Sequence, residues 1–233
     1  MLSLKSGFKF WERGFKDTLV LIPGWATNYR IFDGLKLDHN YLIPTRLYHC
    51  NFNQALLDAI NELKIDKVAL FGFSLGGFLA TEFAVSFPER VSELILIGVR
   101  KCYEPKILEE IKNAIQINKR AWLYKFYLNC FSRSDLQGLG WFKKNLLKEY
   151  TDNLSLDELN LGLDYLASHA LHLESLKKVE KIRIFHGSAD RIVPVEEALK
   201  IKSELPQAKF ILFADMGHLL FLHPGFRERF YHG

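Results

Sequence analysis

Three short stretches, far apart in the chain, carry side chains that together could perform nucleophilic chemistry: "GFSLG" with Ser74, "HGSADRIVP" with Asp190, and "ADMGHLLFLHP" with His218. A serine hydroxyl is a weak nucleophile near neutral pH unless a histidine takes its proton and a carboxylate orients that histidine. Gly72, Ser74 and Gly76 fit the G-x-S-x-G spacing of a nucleophile elbow, where a strand turns so sharply into a helix that the flanking positions have no room for side chains. Ser74 then stands at a helix N-terminus, where backbone N–H groups favour negative charge. The alternative is a capping serine in a glycine turn. Asp190 and His218 follow predicted strands, so both belong at the same sheet edge as Ser74. Asp215, three residues before His218, is the competing acid, and Asp190 is the favoured one because Asp215 reads as a turn residue. His186 ends a strand and reads as packed structure, and His223, before Pro224, reads as a cap of the last helix. His39, His49, His169, His172 and His232 fall outside the strand-end pattern.

Acyl transfer also needs two N–H donors for a developing oxyanion. One is the backbone of Leu75, after the serine. The other is expected from "PGWATN", where Gly24 lets the chain turn inward and Trp25 offers its N–H while its indole walls the pocket, the alternative being a plain core aromatic.

The elements that must position these groups alternate. "TLVLIP" is a continuous apolar run of the kind covered on both faces. "YLIPTRL" reads as another strand, which Pro44 pushes toward an edge or a shorter length. "FNQALLDAINELKI" sets Phe52, Leu56, Leu57, Ile60 and Leu63 on one helical face, with Asn51 available as its cap. Strand "KVALFG", the serine turn, helix "SLGGFLATEFAVSF" and strand "VSELILIG" follow, which predicts an α/β fold with a mostly parallel central sheet flanked by helices. After Gly98 the rhythm changes to helix-like segments only, until "KIRIFHG", "PVEEALKIKSEL" and "AKFILFA" restore it. The expected organisation is a core of residues 1–101 and 179–233, with 102–178 inserted between two strands as a helical lid over the strand ends.

The 233 residues suffice for one large domain, and 48% hydrophobic with 25% charged residues excludes a disordered chain. No apolar run approaches the roughly 18 residues of a membrane span and the start lacks a signal-like apolar core, so the expectation is a cytoplasmic protein. Cys50, Cys102 and Cys130 are widely spaced, which favours free thiols over a metal site. A net charge of +4 gives no reason to expect nucleic acid. That charge is uneven, however: ten Lys or Arg meet only five Asp or Glu from Lys101 to Tyr150. In "NKRAWLYKFYLNCFSR", Trp122, Phe126 and Cys130 with Leu123 and Tyr127 form an apolar stripe, flanked by Lys119, Arg120, Lys125 and Arg133, with Lys143, Lys144 and Lys148 beyond. Either this is a packed helix with solvated charges, or Trp122, Phe126 and Tyr127 roof an acyl channel while Arg120, Lys125, Arg133, Lys143 and Lys144 dock an acidic partner.

The motifs "LIPGW", "FGFSLGG", "FPERV", "HGSADRIVP" and "GHLLFLHP" resemble, in order, those of the α/β-hydrolase superfamily. The "GW", the "SLGG" elbow and the ending formed by His218, Phe221, His223, Pro224 and Phe226 are most similar to the pimeloyl-[acyl-carrier protein] methyl ester esterases of biotin synthesis. The resemblance implies a serine carboxylesterase with Ser74, Asp190 and His218 as triad, Trp25 and Leu75 as oxyanion donors, no metal or organic cofactor, and an ester substrate, free or bound to acyl carrier protein, acted on by a monomer. The lid departs from that family in being basic mainly through lysines. A general short-chain carboxylesterase, a thioesterase, a carbon–carbon bond hydrolase or a ligand-binding receptor on the same fold are the alternatives.

Overall fold

The computed structural model describes residues 1–46 and 51–233, so His49 and Cys50 lie outside the described residues. Among the described residues eight strands form one sheet: β1 (Leu2–Ser3), β2 (Phe8–Trp11), β3 (Thr18–Ile22), β4 (Asn40–Pro44), β5 (Val68–Phe73), β6 (Val91–Ile97), β7 (Ile182–Gly187) and β8 (Lys209–Phe213). Their order is β1-β2-β4-β3-β5-β6-β7-β8. From β4 to β8 every pairing is parallel, whereas β1 and β2 pair antiparallel at one edge. The continuous apolar runs of β3 and β5 are buried throughout, as interior parallel strands must be.

Of the two expectations for "YLIPTRL", the shorter strand is met, since β4 stops at Pro44, and the edge position is overturned. β4 sits inside the sheet, between β2 and β3, and is wholly buried. Pro44 is tolerated because it is the strand's last residue and faces Phe8 at the end of that ladder. Helix α1 (Phe52–Glu62) buries Phe52, Leu56 and Ile60, while Leu57 and Leu63 are only half-buried. Asn51 precedes it, but its side chain makes no capping hydrogen bond.

Helix α2 (Leu75–Ser86) is apolar on nearly every side and packs against β5 and β6. Between β6 and β7 the chain forms five helices: α3 (Pro105–Asn129), α4 (Leu136–Asn145), α5 (Leu147–Asn153), α6 (Leu156–Ser168) and α7 (Leu173–Leu176). Ser155 and Glu158 close a reciprocal capping box at the start of α6. α3 packs on α5 and α6 and is interrupted at Asn118, whose backbone leaves the helical region (φ −154°, ψ 83°). The Asn118 side chain then accepts a hydrogen bond from the Ala121 N–H (3.0 Å). α8 (Val195–Glu204) packs on β7, and α9 (Phe226–His232) closes the chain, with Phe226 and Phe230 packed against Phe71 and Phe185. His223 donates no side-chain cap to α9; its ring nitrogen instead accepts from the Gly225 N–H (3.1 Å).

Candidate active site

The chain passes from β5 to α2 through Ser74 alone, at φ 51° and ψ −117°. That left-handed backbone is costly for a residue with a side chain and persists only where its surroundings enforce it. Here the Ser74 N–H donates to the Ile97 carbonyl (2.8 Å) and the Ser74 carbonyl accepts from the Gly77 N–H (2.9 Å). The flanking glycines are steric requirements. A Cβ on Gly72 would lie 2.6 Å from the Gly76 carbonyl oxygen, and one on Gly76 would lie 2.3 Å from that of Ile22.

Asp190 and His218 reach the same place from the ends of β7 and β8. His218 Nδ1 donates to Asp190 Oδ2 at 2.7 Å, and both residues are buried. A carboxylate can only accept, which leaves the His218 Nε2 lone pair free to take a proton. The other oxygen of Asp190 accepts from the Ile192 and Val193 N–H groups at 2.8 and 2.9 Å, so the carboxylate is fixed in rotation as well as position. Burial alone would raise the Asp190 carboxyl, but the facing His218, His186 and the Val193 N–H outweigh it and hold the group below the ordinary carboxylate range. The His218 ring lies 4.9 Å from that of Phe73, the residue before the serine. Asp215 is the turn residue, at φ 57°. His186 is fully buried, its Nε2–H donating to the Val193 carbonyl (2.9 Å), and burial lowers its pKa.

The Gly24–Trp25 turn lies against the serine: a Cβ on Gly24 would be 3.1 Å from Ser74 Cβ. The Trp25 indole donates its N–H to the Leu159 carbonyl on α6 (2.8 Å) and meets Trp122 and Phe126 edge-on, with ring centres 5.7 and 5.2 Å away. These side chains, with Tyr127, line a cavity of about 340 Å³ into which Ser74 and His218 both open. Tyr127 is also a structural post, fully buried with its hydroxyl on the Ala26 carbonyl. On the far side of Trp25 a second cavity, of about 390 Å³, reaches Gly24, Leu75 and Tyr150.

Among the lining residues that the sequence does not single out, two touch the site's polar groups. Tyr103 shares a hydrogen bond with the Ser74 side chain, and burial pushes its hydroxyl up to about 12 against the opposing pull of Arg100 and Ser74. Arg100 lies over the Tyr103 ring at 4.8 Å and pairs with Glu197 at 3.3 Å. Neither stands in a motif, and only the chain's path after β6 brings them in. Cys130 lines the same cavity, but burial raises its thiol well above the usual range and it stays protonated near neutral pH. Cys102 is an exposed free thiol. Of the basic residues singled out, Arg120 pairs with Asp152 (3.1 Å), while Lys125, Arg133, Lys143 and Lys144 are exposed. Among the described residues no cluster of metal-ligating side chains occurs and no helix is long and apolar enough to cross a membrane.

A sequence profile of the alpha/beta hydrolase fold matches residues 26–155. The chain belongs to the α/β-hydrolase family. An α/β-hydrolase relative similar over most of its length is the pimeloyl-[acyl-carrier protein] methyl ester esterase of Nitrosomonas europaea, 27% identical across 91% of this chain and 92% of that one. Another, the 2-hydroxy-6-oxononadienedioate/2-hydroxy-6-oxononatrienedioate hydrolase of Escherichia coli, is 26% identical across 89% and 71% of the two chains. Two solved structures share the α/β-hydrolase fold. A bromoperoxidase from Bacillus anthracis superposes with a TM-score of 0.82 at 19% identity, covering 96% and 93% of the chains. An esterase from Exiguobacterium antarcticum gives 0.78 at 20%, covering 97% and 92%.

Proposed function

We propose that the protein is a serine carboxylesterase with Ser74 as nucleophile, His218 as base and Asp190 as its orienter. The observation that carries this reading is the buried Asp190–His218 contact, which presents a free imidazole nitrogen to the cavity that Ser74 also lines. Ser74 Oγ bonds to the ester carbonyl carbon as its proton passes to His218 Nε2. The oxygen that becomes negative is received by the Leu75 and Trp25 N–H groups, close to the N-terminus of α2. Collapse breaks the bond to the alcohol, which leaves with the proton from His218. Water then repeats the sequence on the acyl-enzyme, and the acid is released.

The substrate we favour is the methyl ester of a pimeloyl chain carried on acyl carrier protein, which releases methanol. Three features support it: the kinship with an esterase of that name over nine-tenths of the chain, an apolar cavity walled by Trp25, Trp122 and Phe126, and exposed cations on residues 102–178, which we read as a lid on a core of 1–101 and 179–233. An acidic carrier protein would meet Arg120, Lys125, Arg133, Lys143 and Lys144 with complementary charge. The test is steady-state hydrolysis of methyl esters of increasing dicarboxylate length, free and carrier-bound. Ser74→Ala should remove activity by several orders of magnitude. Charge reversal at Arg120, Lys125 and Arg133 should raise KM for the carrier-bound ester and spare small esters. Equal effects on both would favour a general short-chain carboxylesterase, and a Ser74 that a fluorophosphonate never labels would leave only a binding protein.

A further inference from the structure

The loop that bears His218 is not held by the sheet alone. It is laced to the turn that follows α3, between Cys130 and Asp135. The Cys130 carbonyl accepts from both the His218 N–H (2.8 Å) and the Leu219 N–H (3.3 Å). Asp135 Oδ2 accepts from the Gly217 N–H (2.8 Å) and from the Ser132 N–H (2.9 Å), so one buried oxygen ties the two segments together. The Ser132 hydroxyl donates to the Asp215 carbonyl. The approach is so close that a Cβ on Gly217 would lie 2.6 Å from the Cys130 carbonyl oxygen. Every peptide from Asp215 to Leu219 that could swing the imidazole is therefore touched from the inserted helices.

We propose that Asp135 is a positioning residue for the base: by fixing the Met216–Gly217 peptide, one peptide ahead of His218, it sets the direction in which the His218 imidazole points. The inference rests on His218 acting as the base. Three facts favour this role over general stabilisation. Asp135 is buried, and both hydrogen bonds recorded for its side chain come from backbone N–H groups. Its two hydrogen bonds converge on a single oxygen. One of their donors is the residue immediately before His218. A buried carboxylate oxygen bonded to backbone N–H groups is a strong, directional restraint, and a misplacement of about 1 Å in a reacting group can cost about 100-fold in rate.

The experiment compares Asp135→Ala, Asp135→Asn, Ser132→Ala and His218→Ala, each measured for kcat, KM, Tm and the rate at which a fluorophosphonate labels Ser74. That labelling reports the serine–histidine step without substrate binding. Asp135→Ala should lower kcat and the labelling rate together by about 10- to 100-fold, with KM within about twofold. Asp135→Asn keeps an oxygen that can accept both N–H groups and should restore most of the loss. Ser132→Ala removes one tie without stranding a carboxylate, and should slow labelling several-fold even if Asp135→Ala does not fold. Wild-type kcat and labelling in a folded Asp135→Ala, or in Ser132→Ala where the former does not fold, would overturn the inference. So would a loss confined to Tm, or a failure of Asp135→Asn to restore labelling. An active His218→Ala would instead overturn the assignment of the base itself.

Discussion

Replacing Asp190 by Asn exchanges one oxygen for an NH₂ and, by the hydrogen bonds around it, should reverse the polarity of His218, the base we propose. One carboxylate oxygen of Asp190 accepts from two N–H groups, Ile192 and Val193, and the other from His218 Nδ1. An asparagine has one oxygen and one NH₂. Turning the NH₂ toward Ile192 and Val193 would set donor against donor twice, so the oxygen stays there and the NH₂ faces His218. Nδ1 must then be the acceptor, the imidazole proton moves to Nε2, and the nitrogen that should take the serine proton already carries one. Substitutions that trap the wrong tautomer in this way cost about 10⁴-fold in kcat, or about 5.4 kcal/mol of transition-state stabilisation. Because the backbone contacts of residue 190 survive, Tm should change little and KM should stay close to that of the parent. The assay is hydrolysis of a short p-nitrophenyl ester under saturating conditions, with circular dichroism to confirm the fold. An Asp190→Asn enzyme within tenfold of the parent kcat would refute the claim that Asp190 sets the tautomer of His218.

Two further outcomes follow from the geometry. Gly76→Ala forces a methyl group to 2.3 Å from the Ile22 carbonyl oxygen, with backbone on both sides of the clash; it should destabilise the fold by about 3 kcal/mol, lowering Tm by roughly 6–12 °C in a chain of this size, and an unchanged melting curve would contradict the packing described. Stability should also fall in acid through His186 and Asp190. Burial depresses His186 below its ordinary 6.5 among Asp190, His218 and the Val193 carbonyl, so the unfolded chain takes up a proton near that pH which the folded chain refuses. Asp190 is likewise depressed, and its contribution, present above the ordinary carboxylate range, is lost as pH falls through its folded value. Denaturant titrations at pH 7.5, 6 and 5 should show a steady decline beginning below about 6.5, and a flat profile to pH 5 would contradict it.

The parts of the site legible in the sequence are those whose local backbone is special. Glycines at 72 and 76 mark the turn at Ser74 because nothing larger fits, and Asp190 and His218 sit just past strands readable from their apolar runs. Strand type and the shortening at Pro44 were legible, but strand position was not: nothing local reveals that β4 lies between β2 and β3. Tyr103, Arg100 and Asp135 were illegible for another reason. Each is an ordinary polar residue in an ordinary segment, and its meaning comes from the excursion between β6 and β7 folding back over the strand ends. The basic flank was legible as composition only, since Asp152 opposite Arg120 is 32 residues further along the chain.

The interruption at Asn118 divides the longest helix into two rods with separate starts, the second beginning under its own asparagine. That second rod carries Trp122 and Phe126, which line the cavity shared with Ser74 and His218, together with the exposed Arg120 and Lys125, the latter also lining that cavity. Ceiling and cations thus stand on one helical segment that begins at Asn118. A substitution that removed the break at Asn118 would join the two rods into one and would turn the aromatic ceiling and the charges beside it together.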